Sequence, residues 1–412
     1  MDIYIYQWFV DDDNEEITIR GYGIDKKKNN ICIDIKNFKP WLFLESKSNN
    51  LTKENIKREL KKYIYAKYSI SNFQMKEKLY FDHGGKKFKI FPIYFDSIKD
   101  RKISYYILRK KKEYLSFKVH DFEASPLLQF LSKYNLPSCG WVRVRSISLE
   151  KKNTYTRYSK EYIVDTSHLE SLTDDTDIPK MKCLSFDLET YSSDETRHPD
   201  FKKDKDEIFQ IGVSIHQNEK KERNFLFTLS PKPFLLNNGD VKVFKTEQEM
   251  LDEFCSFLKV ENPHIIMGYN IFGFDIPYFY HRCVKKGVLV KRIGMPKDDK
   301  REAEYKEIKW SSSAYSHQEF HYIDLEGRIW VDLLPIVRRD YKLSNYKLKT
   351  VGTFFLGETK DPITVMDIFE AYRLGFQGGN MKKLIKCGKY CIQDARRSEE
   401  HTSELQSHSD LV

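Results

Sequence analysis

The chain has 412 residues, of which 40% are hydrophobic and 14% aromatic, enough for two domains with real cores. Lys and Arg number 70 against 61 Asp and Glu, a formal charge of +9. No signal peptide and no apolar run long enough to span a bilayer is seen, which sets aside secretory and membrane-spanning readings.

The charge is uneven. Residues 1–120 carry 26 basic against 16 acidic side chains, so the remainder is near neutral. A basic N-terminal region beside an acid-bearing domain suits a polyanionic partner, and a solvated lysine-rich surface gives the same count. Seven scattered cysteines fit reduced thiols of a cytoplasmic or nuclear setting. Cys387 and Cys391 lie one helical turn apart, lack a Cys or His partner at zinc spacing, and read as helix packing residues.

In chain order, residues 2–9 alternate as a strand, followed by strands at Ile17–Arg20, Ile31–Ile35 and Trp41–Glu45. Leu51–Ile64 has helical spacing with Thr52 as cap. Lys87–Phe95 and Ile103–Arg109 read as strands, Pro126–Tyr134 as a helix and Trp141–Ile147 as a strand. Residues 1–165 are thus expected to form a small α+β domain with one mixed, largely antiparallel sheet. The aromatics Trp8, Tyr22, Trp41, Phe43 and Trp141 are expected in its core.

Residues 166–180 are polar and acidic and read as a linker. Met181–Thr190 is then a strand, followed by a charged loop and strands at Ile208–Gln217 and Asn224–Leu229, an antiparallel start to a mixed sheet. Glu247–Leu258 is amphipathic, with Met250, Leu251, Phe254, Phe257 and Leu258 on one face. His264–Tyr269 is a short buried strand. Gly273 lets the chain turn, and Pro277 belongs in the first turn of a helix stopped by Gly287. Lys297–Glu326 is expected to hold a hairpin or projecting loop. Arg328–Leu333 reads as a strand. Ser344–Phe355 reads as a helix with Leu348, Val351, Phe354 and Phe355 inward, and Met366–Leu374 and Asn380–Ala395 as the last helices.

Four acids fall at special backbone positions. On the strand Met181–Thr190, Leu184, Phe186 and Leu188 face one way and Asp187 and Glu189 the other. Asp275 sits at a strand-to-helix junction, where the C-terminal edge of a sheet carries function. Asp394 shares a helix face with Tyr390 at i, i+4. Singly, these read as a loop-edge acid, a helix cap and a solvated helix acid. Together they suit phosphodiester hydrolysis by two divalent ions about 4 Å apart, for which hard Mg²⁺ or Mn²⁺ prefers carboxylates.

FDLET (186–190), GYNIFGFDIPY (268–278) and YCIQDA (390–395), in that order, resemble the three exonuclease motifs of family B DNA polymerases. Ile208–Gly212, Gly327–Leu334 and Arg338–Leu348 also fit, and Ser125–Val144 is similar to the N-terminal domain of these enzymes. The flavour is that of the delta-like replicative polymerases of large DNA viruses and eukaryotes, over roughly residues 1–396. The resemblance implies an α/β ribonuclease-H-like exonuclease domain at 181–396 behind the N-terminal domain. It implies that Asp187, Glu189 and Asp394 bind a first ion. Asp187 would bridge to a second, supported by Asp275. Tyr390 would orient the attacking water, and Asn270 and Phe274 would contact the strand's 3′ end. The reaction implied is 3′-to-5′ removal of mismatched nucleotides as 5′-monophosphates. The partner is DNA, as a single-stranded 3′ end or primer-template, with a sliding clamp or processivity factor for the parent enzyme. The setting implied is a cytoplasmic viral factory or the nucleus. Ser311–Glu326 falls where the family carries a segment that helps part primer from template.

The palm, fingers and thumb of the family have no counterpart in these residues. Arg397–Ser407 (RSEEHTSELQS) resembles the in-frame translation of a common sequencing adapter. Residues 397–412 are therefore expected to be a non-native tail on a truncated reading frame, leaving the helix of Asp394 poorly anchored. The alternatives are a nucleic-acid-binding fragment whose metal site is not assembled, and a free-standing exonuclease of similar fold, against which the N-terminal match argues.

Overall fold

A computed structural model describes residues 1–11, 17–48, 50–77, 87–158, 160–172, 175–217, 222–297, 304–311, 317–357 and 363–409, with backbone alone at 291–292, 356 and 398–409. The chain divides into two compact units, Met1–Pro179 and Lys180–Val412. No helix among the described residues is long and apolar enough to cross a membrane.

The first unit holds two sheets rather than the single one expected. Strands β1 (Asp2–Asp11), β2 (Thr18–Asp25) and β3 (Asn30–Lys36) form an antiparallel meander. The chain then leaves for the second sheet through β4 (Trp41–Ser46), α1 (Lys53–Leu60), β5 (Tyr68–Ile70), β6 (Gln74–Glu77), β7 (Lys87–Phe95), α2 (Ile98–Lys110) and β8 (Phe117–His120). After α3 (Pro126–Tyr134) it returns with β9 (Gly140–Val144), β10 (Leu149–Glu150), β11 (Lys160–Asp165) and β12 (Leu169–Ser171). The first sheet runs β10-β11-β3-β2-β1-β9-β12, and β11 pairs parallel to β3.

Two expectations for this unit are corrected. Residues 103–109 are helix, not strand. Ser97 caps α2 by accepting from the Asp100 N–H, and the buried residues Arg101, Ser104, Tyr105 and Leu108 recur at helical spacing. That stripe and the cap override the strand preference of the Ile and Tyr residues. The expected linker 166–180 is also partly sheet, since β12 pairs antiparallel with β9; residues 173–174 lie outside the description.

The second unit is built on a six-stranded sheet, β16-β15-β14-β13-β17-β20. Strands β13 (Cys183–Thr190), β14 (Ile208–His216) and β15 (Arg223–Leu229) are antiparallel, as expected, and β16 (Asp240–Phe244) adds parallel to β15. Helix α4 (Glu247–Glu261) starts at a Thr246–Glu249 capping box and buries the five apolar residues of its predicted face. Then β17 (Ile265–Gly268) pairs parallel to β13 and leads into α5 (Asp275–Lys286). Strands β18 (Glu304–Trp310) and β19 (Gln318–Asp324) make an antiparallel hairpin in the stretch expected to hold one; 298–303 and 312–316 are not described.

Strand β20 (Ile329–Asp332) closes the sheet beside β17 and runs into α6 (Leu333–Asp340). Helix α7 (Leu348–Leu356) begins later than expected, and Phe354 is 57% exposed rather than inward. It lies about a quarter turn off the face shared by Leu348, Val351 and Phe355. Helix α8 (Val365–Glu370) continues as a wide π turn, and α9 (Met381–Ser409) is the last element. The expected tail is thus helical backbone through Ser409; its side chains beyond Arg397, and residues 410–412, lie outside the description.

The core lies between β13–β15, α4 and α5, with Leu184, Phe186, Phe227, Phe254 and Phe279 buried together. Inside it, Arg282 of α5 and Glu247 of α4 form a fully buried ion pair. Glu247 also accepts from the Ile208 N–H at 2.8 Å, and Arg282 donates to the carbonyls of Phe201, Lys203 and Asp204.

Candidate functional site

Strand β13 has neighbours on both sides, so its two acids lie mid-sheet. Leu184, Phe186 and Leu188 point into the core, and Asp187 and Glu189 point to the face covered by α9. The close approach of α9 has a local cause. Asp187 pairs across the ladder with Gly212 of β14. A Cβ at Gly212 would stand 2.5 Å from the carbonyl carbon of Cys391, so the missing side chain lets helix backbone rest on strand backbone. Gly388, one turn earlier, leaves room for the Leu226 side chain of β15.

This seating carries Tyr390 and Asp394 to the acids of β13. The Tyr390 hydroxyl hydrogen-bonds Asp394. Burial raises the pKa of that hydroxyl far above its ordinary value, and the charges of Asp394, Glu189 and Asp187 raise it further. The phenol therefore stays protonated at any working pH.

Asp275 arrives from the other side. β17 ends at Gly268, Asn270 takes a left-handed φ of 63°, and the N–H groups of Gly273 and Phe274 both bond the Asn270 carbonyl. This turn delivers Asp275 as the first residue of α5, where Phe274 holds the cap position without a side-chain cap bond. The Asp275 carboxylate accepts from the Leu188 N–H of β13 at 3.2 Å. Burial pushes its pKa up to about 8, against that hydrogen bond, and the nearby charges of Asp332 and Asp394 add to the rise. Asn270 is exposed and Phe274 half-buried against Tyr278, at a ring separation of 5.4 Å.

Four acids from three distant segments, together with a phenol, therefore approach one another in a largely buried, acid-lined place. That is a setting for a divalent cation. Ligand atoms of Asp187, Glu189 and Cys391 lie within 4.8 Å of one another. Cys391 is better read as packing: burial and both acids raise its thiol pKa well above normal, and its Sγ donates to the Asp187 carbonyl at 3.4 Å. The remaining donors are carboxylates, which fit a hard ion. A cationic side chain reaches the same place, since Arg397 Nη1 lies 3.6 Å from Asp394 Oδ1. A second group, Glu307, Glu319 and His321, lies on the β18–β19 hairpin, where Lys309 already pairs with Glu307 at 2.7 Å.

Two residues at the site went unassigned from sequence. Gly212 was legible as a glycine inside an apolar strand, a sign of close backbone approach. Asp332 ends β20 and precedes Leu333–Leu334–Pro335, a pattern that signals a helix cap. Its carboxylate accepts from the N–H groups of Asn270 (2.8 Å), Phe272 (2.9 Å) and Leu334 (3.0 Å).

The profile of the DNA polymerase family B exonuclease domain matches residues 117–351. DNA polymerase 120R of Invertebrate iridescent virus 3 is 34% identical over 95% of this chain and 37% of its own length. The putative DNA polymerase 060R of Frog virus 3 is 31% identical over 98% of this chain and 38% of its own. The chain thus spans little more than a third of these relatives. Among solved structures, the family B DNA polymerase of Pyrobaculum calidifontis superimposes with a TM-score of 0.70 at 17% identity, over 98% of this chain and 46% of that one.

Proposed function

This chain belongs to the family B DNA polymerases, through their exonuclease domain, and from that premise we propose that its second unit removes nucleotides from a DNA 3′ end by metal-assisted hydrolysis. The observation that carries the reading is the approach of Asp275 and the Tyr390–Asp394 pair to Asp187 and Glu189 in one largely buried, acid-lined place. The three antiparallel strands β13–β15, with β17 and β20 added parallel beyond β13 and β16 at the other edge, support a ribonuclease-H-like fold for this unit.

Asp187, Glu189 and Asp394 would hold one Mg²⁺ or Mn²⁺, and Asp187 with Asp275 a second. When bound, such ions polarise the phosphodiester and make a water more acidic. The chain's own groups do the rest. Tyr390, protonated and fixed by Asp394, offers a polar hydroxyl that orients the attacking water. Asn270, exposed on its turn, and Phe274 beside it engage the terminal nucleotide. The leaving group is the 3′ hydroxyl of the shortened strand, and the product a 5′-monophosphate. A polymerase activity and a sliding clamp or processivity factor are proposed only for a longer parent protein.

One observation favours a second reading, a nucleic-acid-binding fragment whose metal site is not assembled. The guanidinium of Arg397 beside Asp394 neutralises part of the charge a cation would meet. Digestion of a 5′-labelled single-stranded oligonucleotide, with and without Mg²⁺, separates the two. The exonuclease reading expects Mg²⁺-dependent shortening that Asp187→Ala abolishes. Shortening that survives in Asp187→Ala rejects the site, and binding without shortening supports the second reading.

A further inference from the structure

We propose that Asp332 is a positioning residue that holds the Asn270–Asp275 turn in the shape that grips a DNA 3′ end. The inference rests on the exonuclease reading of the site. Capping α6 requires one acceptor, and Asp332 Oδ1 meets it by taking the Leu334 N–H. The same carboxylate does more. Oδ1 also accepts from Asn270 N–H and Oδ2 from Phe272 N–H, both on the neighbouring connection. Strand register explains the reach, because Asp332 is the partner of Gly268, the last residue of β17. Two parallel strands end side by side, and the acid at the end of one receives the first amides of the turn leaving the other.

The turn is tied down from outside as well as within. Asn270 sits at φ 63°, in the left-handed region that asparagine tolerates better than most non-glycine residues, and its own carbonyl closes the turn. Phe272 is fastened on both sides: its N–H goes to Asp332, and its carbonyl accepts from the His321 N–H of β19 at 3.2 Å. Asn270 and Phe274, the two residues assigned to the terminal nucleotide, flank that fastened point. Loss of the carboxylate frees both amides and lets the turn relax. The burden then falls on substrate grip and on Asp275, which the same turn delivers, more than on the β13 acids, which Asp332 does not bond.

The test uses the full chain with Asp332→Ser and Asp332→Asn. Serine retains a hydroxyl able to cap α6 but is too short to reach Asn270 and Phe272; asparagine keeps the shape and replaces one acceptor by a donor. The measurements are kcat and KM for oligonucleotide digestion, the melting temperature, and, in an Asp187→Ala background without Mg²⁺, the Kd for the same oligonucleotide. The expected result is a Kd raised about tenfold in the Asp187→Ala background and a raised KM, with kcat/KM lowered by at least as much because the same turn delivers Asp275. KM and Kd at wild-type values in Asp332→Ser overturn the proposal, and so does a lowered melting temperature with both constants unchanged. If Asp332→Ser does not fold, Asp332→Asn decides by the same criteria. A wild-type chain that does not digest DNA overturns the exonuclease reading alone. The Kd comparison then decides the grip on its own terms, and absence of any oligonucleotide binding overturns both.

Discussion

Asp187 and Gly212 face each other across the β13–β14 ladder, and the absence of a side chain on the second lets α9 bring Tyr390 and Asp394 to the first. Gly212→Ala would put a methyl group 2.5 Å from the Cys391 carbonyl carbon. Backbone cannot rotate aside as a side chain can, so α9 has to move. A displacement of about 1 Å at a catalytic group costs on the order of 10²-fold in rate. Overpacking costs about 1–3 kcal/mol of stability. Digestion rates and urea melts of Gly212→Ala check both; a variant with wild-type rate would mean that α9 does not set the geometry.

Tyr390→Phe removes only the hydroxyl that bonds Asp394. The expected effect is a fall in kcat of about 10- to 100-fold with KM unchanged, since an orienting contact acts in the transition state. The pH profile carries a second expectation. The raised phenol stays protonated through the working range, so the alkaline side of the profile has the same shape in wild type and variant. A limb that disappears in Tyr390→Phe would assign it a proton-transfer role instead.

Metal removal is expected to show in stability as well as activity. A ligand that binds the folded state at a hundredfold excess over its Kd adds about 2.7 kcal/mol, roughly 5–10 °C in melting temperature for a unit of this size. Thermal melts in EDTA and in Mg²⁺ measure it. Asp187→Ala should melt alike in both, and a Mg²⁺ shift that persists in that variant would put the ion elsewhere.

His264 supplies a pH dependence away from the acids. It is buried, its Nδ1 accepts from the Lys182 N–H at 2.8 Å, and burial lowers its pKa to about 4, helped by Arg328 and Lys182. In the unfolded chain a histidine titrates near 6.5, so between these values the unfolded state takes up the proton first. Stability is then fully present above pH 6.5 and falls as the pH drops towards 4, by about 3 kcal/mol in all. Urea melts at pH 7 and pH 5 test this against His264→Gln, which is expected to lose less between the two. Equal losses would remove His264 as the cause.

The buried pair Arg282–Glu247 ties α5 to α4, β14 and the loop before β14. Arg282→Met leaves Glu247 with only Lys286, at 3.3 Å, as a cationic partner and frees three carbonyls, at an expected cost towards the lower end of about 3–5 kcal/mol. Replacing both partners with apolar residues of similar volume should recover much of that. A single variant within 1 kcal/mol of wild type by urea denaturation would contradict it.

How far the fold was legible depended on how local its signals are. The amphipathic face of α4 and the two-faced strand β13 follow from spacing alone, because each pattern has one period. The same reasoning misread 103–109, where Ile and Tyr favour a strand and the decisive features were a serine cap and a buried arginine. It also merged two sheets into one, because nothing local marks β4 as leaving the meander for a new partner. At the site, the acids were visible through their positions on strand, junction and helix. Asp332 and Gly212 were not, since the role of each exists only across strands distant in sequence. Asp332 is an ordinary cap until the turn after β17 is brought beside it.

The order of the acids along the chain has a consequence during synthesis. Asp187 and Glu189 leave the ribosome early in the second unit, Asp275 midway, and Tyr390 and Asp394 only with α9. Until that helix settles on Gly212, the emerging chain carries an incomplete ligand set beside an open sheet face. A site arranged in this way is completed only when α9, the last element to contribute to it, joins the sheet.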